Sequence, residues 1–274
     1  VMPQPMKTLI RHLLVIVTLA LLPAHAAEEG IQFGIQTWTL RNLKFDQVVE
    51  FAVKHGVKNL ELIPNHINAA DPKEVAEKKA ILEKNGLQAY TFGVAQMGLD
   101  KEKNRQLFEF AKKMGMKLII IEPSDYKSFD NIEELVKEYD IKVAVHNHGI
   151  RSPYGNPAVL KNLLQHRDRR LGVCLDAGWI TAAGFDAAKV FRDHDGRVYD
   201  IHLKDKKVEP ALGDTASTDT QIGQGNANLK GLIAELKKSN WHGVMAAETD
   251  SPIFAQQPAE FVDTAKAFFE AQTK

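Results

Sequence analysis

Four residues with metal-binding side chains, His146, Asp176, His202 and Glu248, each stand at or near the C-terminal end of a short apolar run. The runs are Ile141–Val145, Leu171–Leu175, Val198–Leu203 and Gly243–Ala247. Two imidazoles and two carboxylates suit Mn²⁺, Co²⁺, Zn²⁺ or Fe²⁺ better than Ca²⁺, which prefers oxygen donors alone. One divalent ion is therefore the expected cofactor, with Mg²⁺ as a further candidate. Any one of the four taken singly reads as a satisfied strand-end residue, so the expectation depends on all four meeting in space.

A meeting requires an architecture that converges strand ends. The candidates are separated by 30, 26 and 46 residues (146 to 176, 176 to 202, 202 to 248). Roughly 25–45 residues per strand-plus-helix unit is what a (β/α)₈ barrel of about 250 residues needs, and its active site lies at the strand C-termini. The whole chain keeps this rhythm. Strands are expected at 31–37, 57–63, 87–92, 116–121 and then at the four runs above. Helices are expected at 45–55, 72–84, 101–114, 130–139, 157–166, 185–194, 229–239 and 258–271, where apolar residues recur at helical spacing. Asp71-Pro72 is a helix start, with Asp as N-cap and Pro in the first turn, and Asn85-Gly86 closes that helix. Without a Pro/Ser-rich linker, the fold class expected is α/β, a single (β/α)₈ barrel over residues 27–274. An open doubly wound sheet is the alternative, but no G-x-G-x-x-G turn follows the first strand.

The first 26 residues read differently. Lys7 and Arg11 precede the apolar stretch Leu13–Leu22, and Ala24-His25-Ala26 follows Pro23. A basic start, a short apolar region and an A-x-A pattern describe a secretory signal peptide cleaved after Ala26. The apolar stretch is short of the roughly 20 residues that a membrane span needs, so no stable anchor is expected after cleavage. A periplasmic or secreted protein follows. The chain has 35 Lys+Arg and 35 Asp+Glu; losing Lys7 and Arg11 would leave 33 against 35, a net charge of −2. That balance offers no electrostatic footprint for nucleic acid. The single cysteine, Cys174, lies inside an apolar run, which excludes an intrachain disulfide and reads as a core position. A homo-oligomer is compatible with this composition.

The segments Leu175-Asp176-Ala177-Gly178-Trp179, Ile201-His202-Leu203-Lys204-Asp205 and Ile222-Gly223-Gln224-Gly225, together with Glu248, resemble the xylose isomerase-like TIM-barrel superfamily. The resemblance spans about residues 31–271. It implies a metal-dependent sugar isomerase, epimerase or dehydratase. In the family's ketose epimerases a single metal is held by Glu, Asp, His and Glu on the fifth to eighth strands, and Asp176, His202 and Glu248 match the last three. The first position departs: His146-Asn147-His148 stands where the epimerases place a Glu that is both ligand and base. The endonuclease IV branch needs Asp-x-x-His on the sixth strand, whereas Asp176 is followed by Trp179, so DNA repair is disfavoured.

The chemistry implied is proton removal next to a carbonyl, for which a metal polarises the carbonyl oxygen and the protein supplies a base. Glu248 is the first candidate base and Glu122, after the fourth strand, the second; His148 is a candidate acid or base with its ordinary pKa near neutrality. Lys204, two residues after His202, shares its side of the strand and is a candidate for stabilising an oxyanion, or else a partner for Glu248 or Asp176. Glu61, within Leu60-Glu61-Leu62, reads equally as a substrate contact or as a barrel-interior carboxylate paired with a cation. His66, on the loop above the second strand, and Trp38 and Trp179, beside strand ends, are candidate sugar contacts. His55, His166, His194 and His242 are expected at the surface. Gly213, Gly223 and Gly225 would let the long segment from 206 to 228 move over a bound sugar.

Export disfavours phosphorylated sugars. The His in place of the epimerase Glu tilts the expectation towards elimination, for example on 3-keto-glycosides. Ketose isomerisation or epimerisation is the alternative, and a non-catalytic periplasmic sugar-binding protein is a third reading.

Overall fold

In the computed structural model, residues 30–194, 196–209 and 217–274 are described, together with Met2. The signal peptide read over residues 1–26 and Gly213 lie, Met2 apart, outside the described residues.

Eight parallel strands run in the order the spacing predicted: β1 (Ile31–Gln36), β2 (Asn59–Leu62), β3 (Gln88–Phe92), β4 (Leu118–Ile121), β5 (Lys142–His146), β6 (Leu171–Asp176), β7 (Val198–Leu203) and β8 (Gly243–Ala247). Each strand lies beside its sequence neighbours, and β8 pairs with β1. Between β3 and β4 the ring closes just past β3, where Ala95 forms a parallel bridge to Ile121. This is a (β/α)₈ barrel.

Ten α-helices are present among the described residues: α1 (Phe45–Lys54), α2 (Pro72–Lys84), α3 (Lys101–Met114), α4 (Ser128–Tyr139), α5 (Pro157–Leu164), α6 (Ala177–Ala182), α7 (Ala187–Asp193), α8 (Leu229–Lys238), α9 (Pro252–Gln256) and α10 (Pro258–Thr273). Eight were expected. The extra two, α6 and α9, are single short turns directly after β6 and β8, too brief to show a helical period in the sequence. Local chemistry sets the longer ones as read: the Asp71 carboxylate accepts from the Lys73 and Glu74 amides with Pro72 in the first turn, and Asp100 caps α3 in the same way.

Side chains alternate across a strand, and here the alternation separates two cores. Outward-facing Ile119, Ile121, Val143, Val145, Val173, Leu175, Ile201 and Leu203 pack under the helices in one large apolar layer. The inside of the barrel carries only a small apolar group, Leu118, Ile120, Ala144 and Cys174. Above it the interior turns polar, with Gln36, Glu61, His146, Asp176, Asp200 and His202 all buried. Burying polar groups costs free energy unless they are paired, so this concentration marks where the fold serves something other than stability. His194 departs from its expected surface position. It is 4 % exposed, and its Nδ1 donates to the Val190 carbonyl four residues back, in the last turn of α7.

Among the described residues, no helix is long and apolar enough to cross a membrane.

Candidate metal centre and active site

His146, Asp176 and His202 end or nearly end β5, β6 and β7, and Glu248 follows β8. The parallel register sets Asp176 beside His202 and His202 beside Ala246. One donor atom from each of the four residues lies within 4.8 Å of the others, all in buried side chains. His202 Nδ1 is 2.7 Å from Glu248 Oε2 and 3.8 Å from Asp176 Oδ2, while His146 Nε2 is 3.5 Å from Asp176 Oδ2. Despite this proximity, His146 Nε2, Asp176 Oδ2, His202 Nδ1 and Glu248 Oε2 make no hydrogen bond of good geometry. Buried polar atoms are nearly always satisfied. Four donors of metal-ligand type without a hydrogen bond, pointing at one another with only Asp176 Oδ2 ion-paired to Lys204 Nζ (3.2 Å), are what a divalent cation would satisfy, so the residues fit the cofactor expected of them.

Protonation states agree for three of the four; against burial, the groups around His202, Cys174, Glu61 and Glu248 among them, raise it well above its ordinary value, so an ion would have to displace a proton there. Burial drives His146 down to about 4, leaving the neutral imidazole that a metal requires. Burial works against the Asp176 and Glu248 carboxylates, yet Lys204 and the neighbouring imidazoles hold Asp176 well below its ordinary value and bring Glu248 down to about 2.

Asp176 divides its two oxygens. Oδ1 accepts from the Trp179 amide at 2.8 Å and so caps α6, which leaves Oδ2 for the cluster. Asn147 clasps the backbone of the same residue, its Oδ1 accepting from the Asp176 amide (3.0 Å) and its Nδ2 donating to the Asp176 carbonyl (3.3 Å).

Lys204 is 1 % exposed and stands among carboxylates: 3.2 Å from Asp176, 3.2 Å from Glu248 and 2.9 Å from Asp250. Its stem runs so close over Gly178 that a Cβ there would meet Lys204 Cγ at 2.6 Å. Its position two residues after His202 points to Glu248 and Asp176 as partners; Asp250 is a third that the spacing does not indicate.

Beside the cluster, at the mouth, His148 Nδ1 lies 3.0 Å from Glu122 Oε2. The His148 side chain is 41 % exposed, and its ring stands edge-on to His146 at 4.5 Å. Burial alone would raise Glu122, but its hydrogen bond to His148 brings it below the ordinary value; the same contact, against burial, raises His148. This is a paired acid–base unit next to, but outside, the four metal-type donors.

The remaining candidates divide. Trp179 lies at the mouth, with Lys206 Nζ 3.8 Å above its ring and His148 at 6.1 Å. Trp38 is 37 % exposed and covered on one face by Arg41 at 4.7 Å. Glu61 is fully buried beneath the cluster, and its Oε2 accepts from His202 Nε2 at 2.9 Å. His66 is corrected: at 1 % exposure, with Nε2 donating to the Leu43 carbonyl, it is a framework residue and not an open sugar contact. Gly223 and Gly225 of the long segment engage Asp205. The Asp205 carboxylate accepts from the amides of Gly223, Gly225 and Ala227 at 2.8–3.0 Å, and a Cβ on Gly225 would meet Asp205 at 2.1 Å. Glycine there permits a clamp. Further along, Lys206–Lys207 pairs with Thr218–Asp219 as a short hairpin. Asp219 ties that hairpin to the end of β8 by accepting from Thr249 Oγ1 (2.8 Å) and the Asp250 amide (2.6 Å). Nothing in the polar stretch around Asp219 singled it out in the sequence.

A cavity of about 860 Å³ opens at the opposite end of the barrel, where Lys58, Gln88 and Lys117 line it, and it contains none of these groups. The chemistry lies with the strand C-termini, where barrel loops converge.

A family model, xylose isomerase-like TIM barrel, matches residues 49–271. The chain belongs to this family. An inosose dehydratase of Clostridium perfringens strain 13 is 24% identical over 159 residues, covering 54% of this chain and 53% of that protein. The chain thus spans about half the length of the curated relatives it matches. Among solved structures, the probable 3-DHS dehydratase AsbF of Bacillus anthracis superposes with a TM-score of 0.68 at 17% identity, covering 87% of this chain and 98% of that one. The IolI protein, solved with a bound zinc atom, superposes with a TM-score of 0.69 at 17% identity, covering 89% and 98%.

Proposed function

We propose that this xylose isomerase-like barrel is a divalent-metal-dependent enzyme that acts on small keto sugars or related cyclic ketones by elimination. The observation that carries the reading is the convergence of four buried, hydrogen-bond-free donors, His146 Nε2, Asp176 Oδ2, His202 Nδ1 and Glu248 Oε2, beside the His148–Glu122 pair. The relative named inosose dehydratase and the neighbour named 3-DHS dehydratase support the reaction class.

A divalent ion held by the four residues would polarise the substrate carbonyl. Glu122 engages His148 through Nδ1 and leaves Nε2 to face the substrate. His148 takes the proton from the carbon next to the carbonyl; the C–H electrons form the new C=C bond, and the C–O bond one carbon further breaks. The same proton goes to the departing oxygen, which leaves as water or as an alcohol. Trp179 offers an aromatic face beside this path. Lys204 balances the carboxylates around the ion. The leader pattern within residues 1–26 supports export, and an exported enzyme would meet 3-keto-glycosides rather than phosphorylated sugars.

The test is incubation of metal-loaded protein in D₂O with 3-keto-glycosides, an inosose and free ketohexoses, followed by NMR and mass spectrometry. Loss of water or of the aglycone is the expected result. Deuterium gained without change of formula would replace elimination by isomerisation or epimerisation. No change in any of these sugars would favour the sugar-binding reading.

A further inference from the structure

We propose that Glu61 is the positioning residue that makes His202 a metal ligand through Nδ1, and thereby selects between two buried ligand sets. The inference rests on the metal reading above. His202 sits at the junction of both sets: Nδ1 faces His146, Asp176 and Glu248, while Cys174 and Asp200 lie on its other side as a second group of metal-ligand type. A ring nitrogen that carries a proton cannot ligate, so the location of that proton decides which set can close around an ion.

The structure gives the proton one acceptor in hydrogen-bond geometry, because Glu248 Oε2, though 2.7 Å from Nδ1, makes no aligned hydrogen bond with it. His202 Nε2 is 2.9 Å from Glu61 Oε2, whereas Asp200 Oδ2 is 3.7 Å away and lies 3.6 Å from Cys174 Sγ. Glu61 is itself held. The Trp38 amide donates to Gln36 Oε1 at 2.5 Å, which fixes the Gln36 amide so that Nε2 donates to Glu61 Oε1 and to the Gly93 carbonyl, both at 3.4 Å. Gly93 closes the pocket: a Cβ there would come within 2.9 Å of Glu61 Oε1 and 2.5 Å of Ile120 Cβ. A relay thus runs from the backbone after β1 through Gln36 and Glu61 to His202, across 141 residues between its last two members. With Nε2–H given to Glu61, the Nδ1 lone pair points at the upper cluster and the Cys174–Asp200 side loses its imidazole. Carboxylates behind ligating histidines orient the ring and raise its basicity, and their loss costs roughly 10–100-fold in metal affinity.

The experiment is chelator-competed Zn²⁺ titration of metal-stripped wild type, Glu61→Gln and Glu61→Met, with ¹⁵N-histidine NMR of the Zn²⁺-loaded protein and absorption spectra of the Co²⁺-loaded protein. Glu61→Gln retains an acceptor oxygen and should bind close to wild type; Glu61→Met should bind about 10–100-fold more weakly. His202 in the wild type should be protonated at Nε2. A metallated Nε2 would overturn the proposal, as would a thiolate-to-Co²⁺ charge-transfer band, which only Cys174 can produce in a chain with one cysteine. Equal Zn²⁺ affinity in wild type and Glu61→Met would also overturn it. If Glu61→Met fails to fold, the wild-type spectra still decide. Wild type that binds no Zn²⁺ or Co²⁺ removes the metal reading itself, a failure distinct from the others.

Discussion

Replacing Lys204 by methionine tests the charge balance of the centre. The ammonium lies 3.2, 3.2 and 2.9 Å from carboxylates of Asp176, Glu248 and Asp250. At an effective dielectric near 20, each contact is worth about 5 kcal/mol of raw attraction. Asp250, with a side chain 39% exposed, is screened and counts for less. Desolvating the buried ions offsets most of this attraction, and removing one partner of a buried pair typically costs about 3–5 kcal/mol because a charge is left uncompensated. The metal-free variant should lose that much. With an m-value of roughly 3 kcal/mol/M, its urea midpoint should fall by about 1–1.7 M. The metal supplies the missing positive charge to the same carboxylates, so the variant should bind it at least tenfold more tightly, an added stabilisation of about 1.4 kcal/mol. The assay is urea unfolding of both proteins in EDTA and in excess Mn²⁺ or Zn²⁺. A metal-free loss below about 1 kcal/mol, or equal metal stabilisation of the two proteins, would refute the argument that Lys204 and the ion compete for one set of carboxylates.

Gly178→Ala should displace the Lys204 stem, which a Cβ would meet at 2.6 Å; a substantial loss of activity with the fold retained by circular dichroism is expected, and unchanged activity would show that Lys204 can move without consequence. His148→Gln should lower kcat by about 10²–10⁴-fold while leaving bound metal at wild-type stoichiometry, and Glu122→Gln combined with it should be no worse than His148→Gln alone; additive losses would separate the two residues. His194 provides an acid-stability test in EDTA. Burial lowers its pKa below 6.5, so the unfolded chain takes up the proton first. The neutral, buried form contributes fully above pH 6.5, and that contribution is lost as pH falls below it, at no more than about 1.4 kcal/mol per pH unit. His194→Gln should flatten the decline between pH 7 and 5.5, and parallel stability curves for the two proteins would contradict this account.

The barrel and its metal-type residues were legible because they depend on periodicity along the chain. Apolar runs recurring at barrel spacing located the eight strands, and polar residues ending four of those runs had to meet wherever the strand ends converge. The Cys174 core position followed from its apolar neighbours, and the Asp71-Pro72 helix start from capping chemistry that is local to four residues. What remained hidden depends on contacts between elements far apart in sequence. Glu61 reads two ways in the sequence because its partner His202 is 141 residues away, and strand register decides which face of each strand meets the other. Lys204 reaches the cluster from its position two residues after His202, but its third carboxylate, Asp250, depends on how the chain turns after β8. His66 carries a polar side chain that composition assigns to the surface, and its bond to the Leu43 carbonyl joins it to a segment 23 residues away; His194, by contrast, bonds Val190 one turn back on its own helix, a local contact that residue type alone does not announce. Asp219 lies in a polar loop without periodicity, and it acquires a role only when the hairpin brings it to Thr249 and Asp250. The sequence by itself determined which residues stand at the strand ends; the closed barrel decided which of their atoms face one another, because side-chain direction and partner are properties of register and closure rather than of any local segment.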